Sequence, residues 1–310
     1  MFRKSPCCAF TWVQKTRGAE LCLKNLTIFL ANREEETREK PRYIGMALAE
    51  NLQGRRTEMN TRLQQSDFLP GNAVGQPKAL TAYNYIRHAI ITMKMEPGAT
   101  ISEKETCAEL GVSRTPMREA VLRLAQEGLV NVVPSGGTFV NSISLRGVIE
   151  GHLIRSSLEL RMVRLAARSH DAARDRDFDL LMFLQGDAAK RQDYDQSFAV
   201  DNDFHRLICA MAGFPDVWQT IHNATGQLDR IRRFAIPRSG YFDEVEQEHR
   251  AIYEAIIAGD ADRAHDLMRR HLDDIAAVVE YVFVDQPGLI VQEPGFGLST
   301  LDVMLAPAAQ

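Results

Sequence analysis

Two groups of side chains in this chain have the type and spacing to do chemistry. In VDNDFHRL, Asp201 and His205 stand four residues apart in a stretch of helical character, so both project from one face about one turn apart. A carboxylate and an imidazole so placed form a two-ligand clip for a divalent ion. His249 in EHRAIYEAI and His271 in MRRHL each fall in a further amphipathic segment, and helical bundles build metal sites from inward-facing residues on separate helices. Helical histidines are more often satisfied core residues than ligands, so spacing alone leaves both readings open. The second group is Arg114, Thr115 and Arg118, at the start of a helical run that Gly128 closes. Arginine can fork onto the acceptor pair of guanine, and threonine can bond a base or phosphate or touch a thymine methyl. Arg114 and Arg118 share a helix face, Lys104 is placed to meet a phosphate, and the small Ser135-Gly136-Gly137 tip fits a minor groove. The alternative for these arginines is a merely solvated helix face.

Those side chains need elements to hold them. Leu80, Tyr83, Ile86, Ile90 and Met93 recur at helical steps until Pro97-Gly98, and a short helix fits Glu103 to Leu110 between Ser102 as N-cap and Gly111 as left-handed stop. Ser113 is a second N-cap candidate, before RTPMREAVLRLAQE, where Pro116 falls in the first turn and costs nothing. Leu129–Val133 and Thr138–Val140 flank Pro134-Ser135-Gly136-Gly137 and read as a hairpin. A second helix of a helix-turn-helix enters the major groove by its N-terminus, the position that Arg114, Thr115 and Arg118 occupy. Beyond Ser144, amphipathic segments over 145–169, 173–190, 194–212, 216–234, 242–258 and 260–283 predict an antiparallel bundle of six or seven helices. The expected fold class is mainly α: a winged helix-turn-helix over 77–143 followed by an all-α bundle over 144–285. Residues 1–76 lack sustained periodicity and read as a disordered extension, and 286–310 as a flexible tail. The in-frame Met46 and Met59 offer later translation starts, which the intact mass of natively expressed protein checks.

Composition bounds the function classes. The 310 residues are 45% apolar and 25% charged with a formal net charge of −4, ordinary for globular chains. The first sixty or so residues carry a small basic surplus, so the rest is distinctly acidic, and contact with nucleic acid must come from a local surface. The five cysteines form neither a CxxC pair nor an even framework, which fits a reducing cytoplasm. Leu21–Leu30 is interrupted by Lys24 and falls far short of a membrane span, and Lys15, Arg17 and Glu20 spoil a signal-peptide core.

An Asp/His metal site with open positions can activate water, so a metal-dependent enzyme acting on a small carboxylic acid is one competing class. The sequence has no HExxH, P-loop or GxSxG motif. Glu248, the one obvious general-base candidate, is the immediate helical neighbour of His249 and points elsewhere. A third class is a constitutive DNA binder with a structural metal.

The stretch ISEKETCAELGVSRTPMREAVLRLAQEGLVNVVPSGGTFV resembles the winged helix-turn-helix of the GntR transcriptional regulators. The resemblance implies that Lys104, Arg114, Thr115, Arg118 and the wing tip Ser135-Gly136 contact operator DNA. This chain departs from the family in carrying Ser135 where a basic residue or histidine is common. Residues from about 145 to 284 resemble the C-terminal ligand-binding (FCD) domain of the FadR subfamily, through RSSLELRMVRLAA, DNDFHRLICAMAGFP, EHRAIYEAIIAGDADRA and MRRHLDD. By that resemblance, Asp201, His205, His249 and His271 are the ligands of a divalent metal that helps hold a carboxylate-bearing effector. The ion is zinc first, with nickel or manganese as alternatives, a donor set of three imidazoles and one carboxylate being suited to borderline metals. Arg155 occupies a position that can face the pocket and bind an effector carboxylate, the alternative being an exposed ion pair with Glu159. Asn223 is a further effector candidate, with Arg230 and Arg232 behind it, and His222 could line the cavity. The resemblance thus implies a homodimeric regulator of palindromic double-stranded operator DNA, responsive to a small organic acid.

Overall fold

The computed structural model describes residues 77–235, 241–286 and 288–297, all within the unit Thr61–Gln310. The expected extension over 1–76, the turn at 237–240 and the segment 298–310 lie outside the described residues.

The N-terminal part begins with helix α1 (Lys78–Ile91), whose Ala82, Tyr83, Ile86 and Ile90 are buried. Helix α2 (Glu103–Leu110) starts where the Ser102 hydroxyl accepts from the Glu105 amide at 3.4 Å and stops at Gly111, whose φ of 62° is left-handed. Helix α3 (Arg114–Gln126) follows and turns Met117, Ala120, Val121 and Leu124 inward, while Ser113 precedes it without a side-chain capping bond. Strands β2 (Val130–Val133) and β3 (Gly137–Val140) pair antiparallel. Their connection is tight: the Gly136 amide donates to the Val133 carbonyl at 2.9 Å and Ser135 has φ 60°, the left-handed third position of a type II turn with proline second. A third strand was not expected from the sequence. Strand β1 (Thr100–Ile101) pairs with β3, giving the order β1-β3-β2. It is two residues long, too short to show a period.

Eight α-helices follow among the described residues, one or two more than expected. They are α4 (Leu145–Arg168), α5 (Asp175–Arg191), α6 (Tyr194–Met211), α7 (Val217–Ala224), α8 (Gly226–Ala235), α9 (Tyr241–Ile257), α10 (Ala261–Asp273) and α11 (Ile275–Asp285). The extra pair arises because the segments at 216–234 and 260–283 are each broken once. Thr225 leaves helical geometry at φ −98° and ψ 9°. Asp274 interrupts only by a local kink at φ −59° and ψ −13°. Residues 288–297 also depart from the flexible tail expected there. Strand β5 (Ile290–Val291) runs parallel to β4 (Ile143–Ser144), because Ile290 is buried in a core with Ile143, Val148, Leu228, Ile231 and Val279. A second core joins Ile86, Met117, Leu124 and Leu129 of the N-terminal part to Phe198 and Ala199 of α6. No described helix is long and apolar enough to cross a membrane.

Candidate metal centre and nucleic-acid interface

Three bundle helices carry the candidate ligands. The Asp193 carboxylate caps α6 by accepting from the Gln196 amide at 3.0 Å, and this start sets the phase that turns Asp201 and His205 into the interior. His249 lies on α9 and His271 on α10, which the Asp260 carboxylate caps through the Arg263 amide. One donor atom from each of Asp201, His205, His249 and His271 lies within 4.8 Å of the other three.

The donor chemistry fits a divalent ion because of how each ring is held. Nδ1 of His205 is 2.6 Å from Glu159 Oε2, Nδ1 of His271 is 2.7 Å from Glu248 Oε2, and Nδ1 of His249 is 3.0 Å from Gln185 Oε1. Every imidazole therefore has a side-chain oxygen within 3.0 Å of one nitrogen and offers the other. Such partners fix the tautomer and ring orientation of metal-ligating histidines. The Nε2 atoms of His205 and His271 are 3.3 Å apart, and His249 Nε2 is buried without a hydrogen-bond partner, 3.7 Å from Asp201 Oδ1. Phe204 stacks on the His249 ring at a centroid distance of 3.9 Å. Glu159, Gln185 and Glu248 were not read from the sequence in this role; they are polar residues on helical segments, and no spacing signal marks their partners.

For Asp201, His205 and His249 the protonation states are those that ligation needs. Burial lowers the His205 ring to about 4 against the raising effect of Glu159, and burial, followed by the neighbouring His271, keeps His249 well below the usual histidine range. Burial would raise the Asp201 carboxyl, but Arg232 and the nearby imidazoles outweigh it and hold it well below the carboxylate range.

A cavity of about 60 Å³ opens beside the cluster, lined by His152, Arg155, Asp201, Arg232, Glu248 and His271 together with apolar residues of α8 to α11. Arg155 and Glu159 do pair, at 2.7 Å, but with side chains 4% and 1% exposed, so the exposed surface pair is corrected to a buried one. Glu159 divides its oxygens between Arg155 and His205, and Arg155 Nη2 remains buried without a hydrogen-bond partner. Asn223 is placed elsewhere. Its Oδ1 accepts from Arg123 at 2.9 Å and Gln219 at 2.7 Å, and it is not among the residues lining the cavity. Arg230 donates to the Asn141 carbonyl and His222 accepts at its carbonyl from Arg87; neither lines the cavity.

In the N-terminal part, Lys104, Arg114, Thr115, Arg118, Ser135 and Gly136 are all exposed. The first turns of α3 present Arg114, Thr115 and Arg118 to solvent while Met117 and Ala120 fix the helix from beneath.

The comparisons with known proteins agree with this architecture. The family model for bacterial regulatory proteins of the gntR family matches residues 78–140, and the FCD domain model matches 151–274. An HTH-type transcriptional regulator in an unstable DNA locus of Streptomyces ambofaciens is 32% identical over 219 residues, covering 71% of this chain and 92% of that protein. The HTH-type transcriptional repressor RspR of Escherichia coli is 30% identical over 207 residues, covering 67% and 91%. Among solved structures, E. coli McbR/YncC superposes with a TM-score of 0.60 at 22% identity, over 67% of this chain and 99% of that one, which speaks to the fold. With a GntR-type reader, an FCD domain behind it and regulators of this type aligned over most of its length, the chain belongs to the GntR family of transcriptional regulators.

Proposed function

We propose that this regulator binds operator DNA through Lys104, Arg114, Thr115, Arg118 and the wing tip Ser135-Gly136, and that a small carboxylic acid held beside a divalent ion in the bundle sets its affinity. The observation that carries the reading is the trio of imidazoles, each tied at Nδ1 by Glu159, Glu248 or Gln185, with the remaining nitrogens and Asp201 gathered within 4.8 Å. Asp201, His205, His249 and His271 would hold the ion, zinc first and nickel or manganese next, and the ion would supply Lewis-acid binding of carboxylate oxygens. Arg155 anchors the acid, since its buried Nη2 lacks a partner at the cavity and guanidinium suits carboxylate. The acting species is a homodimer, whose two reading heads meet the half-sites of a palindromic site in double-stranded DNA.

The test is the melting temperature of the full chain against a panel of carboxylic, sugar and amino acids, on zinc-loaded and chelator-stripped protein. A ligand that binds only the folded state stabilises it by about 2.7 kcal/mol at a hundredfold excess over its dissociation constant. An acid that raises the melt of the loaded protein, with the effect lost on stripping, supports the reading. If stripping lowers the melt while no acid raises it, the ion is structural; if stripping changes nothing, the ligand assignment fails.

A further inference from the structure

A continuous line of buried charges leaves the ligand cluster and ends at the recognition helix. Arg232 on α8 donates through Nη2 to Asp201 and through Nη1 to Asp229 Oδ1 at 3.1 Å. The other oxygen of Asp229 accepts from Arg87 Nη2 of α1 at 2.9 Å, and Arg87 Nε is 3.4 Å from Glu127 Oε2. Glu127 is the C-terminal cap residue of α3, the helix whose other end carries Arg114 and Arg118. It also accepts from Tyr83 at 2.7 Å and pairs with Arg123. Side chains along the line are almost wholly covered: 9% exposed for Asp201, 10% for Arg232, 2% for Asp229 and Arg87, and 5% for Glu127. Charges alternate at each step, and the pairs join residues up to 142 positions apart.

Stability alone does not explain such a line. Burying paired charges costs desolvation that their attraction only about repays, and apolar replacements of like volume are often as stable. What an alternating chain does provide is interdependence. The Arg232 fork serves two carboxylates, one in the ligand cluster and one on which Arg87 depends. A charge added at Asp201 changes how Arg232 divides itself between Asp201 and Asp229, and therefore how firmly Asp229 of the bundle holds Arg87 of the reader.

We infer that Arg232, Asp229 and Arg87 are coupling residues, through which occupation of the Asp201 cluster is felt at the C-terminal end of the recognition helix. This rests on the metal reading above. A rival route exists in the packing of Phe198 and Ala199, on the helix that carries Asp201, directly into the reader core. The two routes differ in whether they need the charge on Asp229.

The experiment is hydrogen exchange of the full chain with and without Zn²⁺ alone, followed in peptides covering 201–211 and 245–256 of the bundle and 80–91 and 120–130 of the reader. Asp229→Asn is compared with wild type, and Arg232→Lys and Arg232→Gln serve if that variant does not fold. In the wild type, Zn²⁺ should slow exchange in both sets; in the variants the bundle should still respond while the reader response falls at least severalfold. A reader response that persists in the variants overturns the inference and assigns the coupling to the α6 packing. A wild type in which the bundle responds and the reader does not also overturns it, with the metal site left standing. If Zn²⁺ slows neither set, the metal site and the coupling fall together.

Discussion

His205 and His271 place their Nε2 atoms 3.3 Å apart although they stand 66 positions apart on two different helices. The outer nitrogen of each ring already faces a carboxylate, Glu159 for His205 and Glu248 for His271. The two inner nitrogens are therefore turned towards each other beside Asp201, where one cation would take both as ligands.

The outer carboxylates should consequently tune the affinity for metal. Glu248→Gln keeps the size and loses the charge on His271, and Zn²⁺ affinity, read by competition with a chromogenic chelator, should fall about 10–100-fold. His271→Ala should lose more. An unchanged affinity in Glu248→Gln removes Glu248 from the site.

The reading surface makes a separate prediction. Arg114 and Arg118 are exposed, so alanine at either position should leave the melting profile within about 0.5 kcal/mol of wild type. Affinity for an operator recovered by in vitro selection should drop by about 1–3 kcal/mol per arginine. Band shifts measure the second effect, and equal shifts for wild type and both variants would falsify the assignment of α3 as the recognition helix.

Packing at the start of the bundle is equally testable. A Cβ on Gly151 of α4 would lie 3.1 Å from the Ala224 carbonyl oxygen, 3.4 Å from Leu228 Cβ and 3.5 Å from Thr225 Cα. None of those atoms can rotate away, so Gly151→Ala should destabilise the protein by roughly 1 kcal/mol net, even though alanine favours a helix by about 0.5–1 kcal/mol over glycine. Chemical denaturation reads the difference, and a stabilised variant refutes the close approach of α4 and α7.

Acid should act through buried histidines that are not among the four candidate ligands. Burial, with Arg155 and against Glu159, lowers His152 to about 4, and burial with Arg87 keeps His222 well below its usual range. Both stay neutral in the folded protein while the unfolded chain takes up protons below about 6.5. Stability is thus intact above pH 6.5 and is lost as the pH falls towards 4, by up to about 3 kcal/mol from His152. Unfolding of chelator-stripped protein between pH 7 and 4.5 should show a shallower slope in His152→Gln.

Sequence patterns revealed elements more readily than partnerships. Gly111, Gly128, Gly213 and Gly259 all take positive φ, and each marks a helix end that the pattern of residues announces. The breaks at Thr225 and Asp274 were missed because apolar spacing runs through them unchanged. The four candidate ligands are legible as types, and Asp201 with His205 as a pair on one helix face. Their supporting acceptors are not: Gln185 reaches His249 across 64 residues, and the buried Arg87–Asp229 pair spans 142, distances over which local pattern carries no information. Asn223, a lesser pocket candidate by sequence, lies on a turn of α7 that faces Arg123 of the reader.

The parallel pairing of Ile290–Val291 with Ile143–Ser144 bears on the order in which the molecule can be made. The reader's own contacts span a few tens of residues, and local contacts form early while distant ones wait for loop closure. On a ribosome the N-terminal part emerges first, so α1 to β3 can fold as soon as they are clear. The strand that braces the joint between the two parts arrives almost 150 residues later, after the whole bundle has been synthesised. Each newly made copy therefore passes through an interval in which the helix-turn-helix part has been made and the strand that closes the bundle against it has not.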